Sequence, residues 1–123
     1  MTMPAENIFK IPDSLSEIGP EHLETICSGR SVRIERIISK GHVSEPDHWY
    51  DQELDEWVLL LQGKASLEFE NGHIMHLQKG DYLLIKAGQK HRVSYTSKDP
   101  ECVWLAVHFE LETGQNNTYA SDT

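Results

Sequence analysis

Two residues carry the strongest chemical signal in this chain. Glu56 opens the apolar run Trp57-Val58-Leu59-Leu60-Leu61, and His91 opens the run that ends at Thr96. In an extended strand alternate side chains share a face, so Glu56 lies with Val58 and Leu60, and His91 lies with Val93 and Tyr95. Both sets are read as facing inward. If they line one closed sheet, a carboxylate and an imidazole meet at the mouth of a largely apolar cavity, where a charge without a partner is costly. An ion or a strong hydrogen-bond network must then satisfy them. Such groups move protons, with Glu56 or Tyr95 in place for it, or hold a Lewis-acidic metal against a chelated oxygen.

The elements that must position this pair are short strands. Val32 and Ile34 alternate with Arg33 and Glu35, and Ala65, Leu67 and Phe69 alternate with Ser66, Glu68 and Glu70. Asn71-Gly72 predicts a tight hairpin into His73 to Leu77, because both residues tolerate positive φ. Further strands are expected at Glu56 to Leu61, Tyr82 to Lys86, His91 to Thr96 and Glu101 to Phe109, with glycine, proline or Ser-Lys-Asp between them. No long segment has helical period. The pattern predicts an all-β sandwich or barrel.

Residues 1–30, with Pro4, Pro12, Gly19 and Pro20, are expected as an amino-terminal arm laid over the sheet, with one helical turn at Glu21 to Ile26. Residues 31–111 form the barrel, and 112–123, without apolar content, are expected to be a flexible tail. The Trp57 run is apolar on both faces, so either the arm or a second copy of the chain must cover its outer side.

The spacing around both signal residues resembles the paired motifs of the cupin family. The second motif of that family is Gly, five residues, Pro-x-Gly, two residues, His, three residues, Asn. Gly80, Gly88 and His91 keep that spacing, with Lys86 for Pro and Tyr95 for Asn. The first motif is matched by Glu56 and Gly63, whereas its histidine pair is replaced by Trp49 and Asp51, or by Tyr50 and Gln52 with the shorter gap. The resemblance spans about residues 31–109 and is to small single-domain, type-2 cupins of the conserved barrel family. It implies a cupin jelly-roll barrel (double-stranded β-helix) and one divalent transition metal, Mn, Fe(II), Ni or Zn, held by Glu56 and His91.

Under that resemblance Asp51 is the first choice for a third metal ligand, Gln52 the runner-up, with His48 and Glu53 behind. His48, Tyr50, Gln52 and Tyr95 are expected around the ligand pocket; Trp49 and Tyr50 are read equally as stacking surfaces or packing anchors. The alternative to a metal is a buried Glu56–His91 hydrogen bond. Tyr82 is a further candidate for a hydroxyl in the cavity, although satisfied core tyrosines are commoner. His108 is read first as a satisfied core or interface histidine and second as a pocket residue, Cys102 as a small buried hydrophobe, and His22 and His42 as surface. His73 and His76, three apart on a strand, face opposite sides.

The 123 residues suit one domain, and 20 acidic against 11 basic side chains give a net charge of −9 that repels phosphate backbones and anionic lipids. No nucleic acid and no membrane partner are expected. Two cysteines make no disulfide framework, and no secretion signal or membrane span is read, so a cytoplasmic protein is expected and the Asn116-Asn117-Thr118 sequon is taken as a chance match. There is no phosphate loop, zinc-type cysteine pair or Gly-x-Ser-x-Gly elbow. The expected function is a divalent-metal-binding small cupin with a small-molecule ligand or substrate, paired as a homodimer. As an enzyme it would be a metal-dependent dioxygenase, isomerase or decarboxylase acting on a small oxygenated molecule. The alternatives are a non-catalytic binding or sensing cupin and a metal-free structural one.

Overall fold

The computed structural model describes residues 4–110. Eight strands form the domain: β1 (His22–Gly29), β2 (Val32–Ser39), β3 (Asp55–Gln62), β4 (Ala65–Phe69), β5 (Ile74–Leu77), β6 (Tyr82–Ile85), β7 (His91–Thr96) and β8 (Cys102–Phe109). They build a five-stranded sheet in the order β1-β2-β8-β3-β6 and a three-stranded sheet in the order β5-β4-β7, with every pairing antiparallel. The expected tail at 112–123, with its sequon, lies outside the described residues.

The core sits between the sheets and consists of Val58, Leu60, Ala65, Leu67, Phe69, Leu77, Ile85, Cys102, Trp104 and Ala106. Register sets which side chains meet above it. Ile85, Glu56, His108 and Arg33 form one cross-strand row on β6, β3, β8 and β2, and Leu83, Val58, Ala106 and Glu35 form the next. Cross-strand neighbours on one face lie about 5 Å apart, so four polar groups are collected at one end of an otherwise apolar wall.

Two features depart from the sequence reading. Glu21 to Ile26 makes no helical turn: residues from His22 onward form β1, the edge strand paired with β2. A register shift between Thr25 and Cys27 interrupts the strand, which erases the period-two signal that would have revealed it. The second departure is in β7, where a register shift against Ser66 and Leu67 places an extra residue between Val93 and Tyr95. The alternation inverts there, so His91 faces inward but Tyr95 is 51% exposed, while Thr96 is buried.

Gly63 shows why a motif glycine stands between β3 and β4. Its φ is +90°, and a Cβ would come within 2.8 Å of Ser97 Oγ and 2.9 Å of Cys102 Sγ. The outer face of the larger sheet carries Leu84, Trp57, Val107 and Ile34 in one row and Tyr82, Leu59 and Leu105 in the next. The amino-terminal segment is tied to the β1–β2 side of this sheet, where Arg36 donates to the carbonyls of Ile8 (3.2 Å) and Lys10 (2.7 Å). Tyr82 and Leu84, on edge strand β6, remain 66% and 38% exposed.

Candidate functional site

Backbone pairing brings the site together. The Tyr50 amide donates to the His91 carbonyl (2.7 Å) and the His91 amide to the Tyr50 carbonyl (3.1 Å), while the Gly88 amide donates to the Gln52 carbonyl (2.9 Å). The Ala87 amide donates to Asp55 Oδ1 at 2.8 Å, holding the start of β3 against the same turn. The segment before β3 is thereby stapled over the turn that leads into β7. Glu56, next after Asp55, then faces His91.

The two side chains border a cavity of about 160 Å³ with Glu21, Arg33, Glu35, Tyr50, Gln52 and His108, on walls that include Val58, Leu67, Ile85, Val93 and Trp104. That is below the ~300 Å³ typical of drug-sized sites, and suits one small metabolite. Glu56 is only 6% exposed. Its Oε1 lies 3.8 Å from His91 Nε2, beyond hydrogen-bond length, and has no hydrogen-bond partner. Gln52 Oε1 is also buried without a partner.

Burial shifts both members of this pair toward their uncharged forms. Burial pushes the Glu56 carboxyl up to about 7, helped by the nearby carboxylates of Glu35 and Glu21 and opposed by Arg33. Burial lowers the His91 imidazole, outweighing its hydrogen bond to the Gln89 carbonyl. A carbonyl can only accept, so at 3.1 Å His91 Nδ1 carries the ring proton and Nε2 is left as an acceptor facing Glu56. At 3.8 Å this is a contact between two groups that burial shifts toward their uncharged forms, with no hydrogen bond between them.

A second polar chain lies beside it. Arg33 Nε donates to Glu35 Oε2 (2.7 Å), and Glu35 Oε1 is 3.0 Å from His108 Nε2. His108 is 3% exposed and its ring is lowered first by burial. A third chain runs from Trp104 Nε1–H to Ser39 Oγ (3.2 Å) and from the Ser39 hydroxyl to Glu21 Oε2 (2.7 Å), and burial raises the Glu21 carboxyl.

The expected site residues are therefore divided. Glu56, His91, Tyr50 and Gln52 come together. Asp51 is exposed and does not border the cavity, because neighbouring side chains of an extended segment point opposite ways and Gln52 is the one turned inward. Tyr95 is carried outward by the β7 bulge, and Tyr82 lies on the outer face with its ring 5.6 Å from that of Trp57. His48 borders a neighbouring hollow with His42 and Val43, which shares Glu21, Tyr50 and Val93 with the main cavity. Trp49 packs under the Arg92 guanidinium at 6.0 Å.

Other histidines also depart from the reading. His42 is buried, not superficial, and its Nδ1 accepts from the Lys40 amide at 2.8 Å. His22 is half-buried beside Glu24 at 2.7 Å. His108 combines both readings considered for it, since it is satisfied by Glu35 and borders the cavity. Glu35, Arg33 and Glu21 were missed. The strand alternation that shows Val32 and Ile34 as apolar marks Arg33 and Glu35 as the solvent side, whereas these two face the cavity.

A metal would need at least three firm donors. Among the described residues no group of three His, Cys, Asp or Glu side chains could hold an ion. Glu56 and His91 are supplemented only by the Gln52 carboxamide, a weak donor, and Asp51 is turned away. This donor set does not fit a resident transition metal.

A family profile for the cupin domain matches residues 35–108. A protein of Ralstonia eutropha JMP134, proposed to be a mannose-6-phosphate isomerase, is 34% identical over 89% of this chain and 100% of its own, with a TM-score of 0.77. A cupin superfamily protein of Desulfitobacterium hafniense DCB-2 is 18% identical, covering 78% of this chain and 83% of its own, with a TM-score of 0.63. A cupin-2 domain protein of Shewanella frigidimarina NCIMB 400 is 18% identical over 72% and 80%, with a TM-score of 0.57. No curated protein matches the sequence. No helix among the described residues is long and apolar enough to cross a membrane.

Proposed function

This chain belongs to the cupin family, and on that premise we propose that it binds one small polar molecule inside the barrel, against Glu56 and His91. The observation that carries this reading is the Glu56 carboxyl oxygen, buried, facing the cavity and without a partner. Such an atom forfeits about 1–3 kcal/mol until something satisfies it. A ligand is that something. The Mn, Fe, Ni or Zn expected from the family resemblance is not needed for this function, since Asp51 does not supply the third donor.

An isomerase-type activity is the second reading, and one geometric observation favours it. Glu56 and His108 are cross-strand neighbours on β3 and β8, one an acid that burial shifts toward its protonated form and the other a ring whose Nε2 is engaged by Glu35. Moving a proton between adjacent atoms of a ligand takes one group that gives and one that accepts. The similar Ralstonia protein is proposed to act on a phosphosugar. The carboxyl groups of Glu21, Glu35 and Glu56 outnumber the Arg33 guanidinium around this cavity and disfavour a phosphate, so the molecule proposed here is uncharged or cationic. Partners are proposed as a second copy of the chain, covering Trp57, Tyr82 and Leu84 on the outer sheet, and no nucleic acid or membrane. A cytoplasmic location goes with this reading.

Screening of small polar metabolites by thermal shift tests the function. Stabilisation by at least one of them, lost in Glu56→Leu, is expected. A barrel that no such molecule stabilises would remove the reading.

A further inference from the structure

Among the described residues, the buried polar atoms of the cavity lining that lack a partner are both oxygens. Glu56 Oε1 and Gln52 Oε1 are buried oxygens without a hydrogen-bond partner. His91 Nε2 is an acceptor, because Nδ1 spends its proton on the Gln89 carbonyl. His108 commits Nε2 to Glu35. The donors on the lining residues are the Arg33 guanidinium, whose Nε is already held by Glu35 at 2.7 Å, the Gln52 amide nitrogen and the Tyr50 hydroxyl. The carboxyl groups of Glu21, Glu35 and Glu56 face that one guanidinium; burial shifts Glu21 and Glu56 toward their protonated forms and both imidazoles toward neutrality, so a cation that enters meets carboxyls able to ionise against it.

Unpartnered acceptors facing a small, half-open cavity favour a guest that brings donors. An alcohol brings one hydrogen and a carboxylate none, whereas a primary ammonium brings three on one atom together with the positive charge that an acidic wall favours. We propose that the natural ligand of this cavity carries a protonated primary amine, seated between Glu56, His91 and Gln52. This inference rests on the proposed small-molecule function and specifies the chemical class of its ligand. The amine's carbon skeleton lies along Val58, Ile85 and Val93, and the opening beside Arg33 is left for a more polar end. When the ammonium enters, the Glu56 carboxyl releases to solvent any proton it holds and becomes the ion-pair partner, which replaces its missing hydrogen bond with a charge-assisted one.

The same acceptors would also attract an inorganic cation, and the test separates the two sources. Wild-type protein is titrated at pH 7.5 with propylamine, 1-propanol and propionate, three probes of one size, and separately with Zn²⁺, Ni²⁺ and Mn²⁺. Binding is read from the NMR shifts of the Val58, Ile85 and Val93 methyls and the Trp104 indole. The amine is expected to bind at least about tenfold more tightly than the alcohol, a margin of about 1.4 kcal/mol. Propionate is expected to give no saturable shift, and Glu56→Gln is expected to reduce the amine's advantage to about twofold or less. Alcohol or propionate binding as tightly as the amine would overturn the inference, as would an amine preference that survives in Glu56→Gln. Saturation by a metal ion at lower concentration than the amine would assign the acceptors to an inorganic cation and overturn it as well. If none of these probes binds while uncharged metabolites still fill the cavity, the ammonium inference alone fails. An empty cavity in every arm removes the parent function too.

Discussion

Glu56 Oε1 and His91 Nε2 stand 3.8 Å apart across the barrel, joining strands from two different sheets without a hydrogen bond between them. Each is buried, and each is pushed toward its uncharged form mainly by that burial. A site held in this way stays open to a guest, because neither group satisfies the other.

The first consequence is a pH dependence of stability. The folded-state Glu56 pKa, about 7, lies above its ordinary value of 4.5. Its contribution is therefore fully present below about pH 4.5 and is lost as pH rises through 7, because the unfolded chain ionises first. The loss is about 3 kcal/mol for this one group. Urea denaturation from pH 5 to 9 should show wild type falling relative to Glu56→Gln. Parallel curves for the two proteins would contradict the burial of that carboxyl.

Metal should matter little. Added Mn²⁺, Ni²⁺ or Zn²⁺, or prior treatment with a chelator, should leave the melting temperature within about 1 °C, since a ligand that binds weakly stabilises little. Elemental analysis of untagged protein should find far less than one transition metal per chain. Stoichiometric metal would show that Gln52 or another group completes a shell with Glu56 and His91.

Removing Glu35 should destabilise the fold. Its carboxylate holds Arg33 on one oxygen and His108 on the other, so Glu35→Ala leaves a buried ring without its partner. A loss of about 1–3 kcal/mol in denaturant unfolding is expected, with Glu35→Gln losing less. A neutral result would mean that the chain Arg33–Glu35–His108 contributes nothing to the folded state.

The outer sheet should hold a second copy. Light scattering is expected to give a dimer for wild type and a monomer for Tyr82→Lys/Leu84→Lys, two positions exposed on edge strand β6. Ligand binding should survive in the monomer. A wild-type monomer would leave the amino-terminal segment as the cover of that face.

Gly63→Ala tests the motif turn. A Cβ there would approach Cys102 Sγ to 2.9 Å at φ +90°, so a loss of about 1–3 kcal/mol is expected. Tolerance of alanine would mean that the turn can shift away from Ser97 and Cys102.

Much of the barrel is legible in the sequence because its strands alternate cleanly and their turns carry glycine. Ala65 to Phe69 and the Asn71-Gly72 hairpin are found where alternation and turn residues place them, although only Gly72 of the two takes a positive φ, +90°. The pair Glu56 and His91 is legible for the same reason. What fails is what a bulge conceals. In β1 the shift after Thr25 breaks the apolar period, and in β7 the extra residue before Tyr95 turns that side chain out. Arg33 and Glu35 escape notice because alternation identifies a strand's polar face without saying whether water or a lined cavity lies beyond it. Asp51 and Gln52 could not be separated, since a loop has no fixed parity until it pairs. Backbone bonds from Tyr50 to His91 and from Gly88 to Gln52 decide that question in favour of Gln52.

The most direct test of the cavity as a ligand site is methyl and indole chemical-shift mapping during titration with the small polar metabolites that stabilise the protein. Saturable shifts confined first to Val58, Ile85, Val93 and the Trp104 indole, and weakened about tenfold or more in Glu56→Gln, are the predicted result. Shifts appearing instead at Trp57 and Tyr82 on the outer sheet, with the interior unmoved, would contradict it.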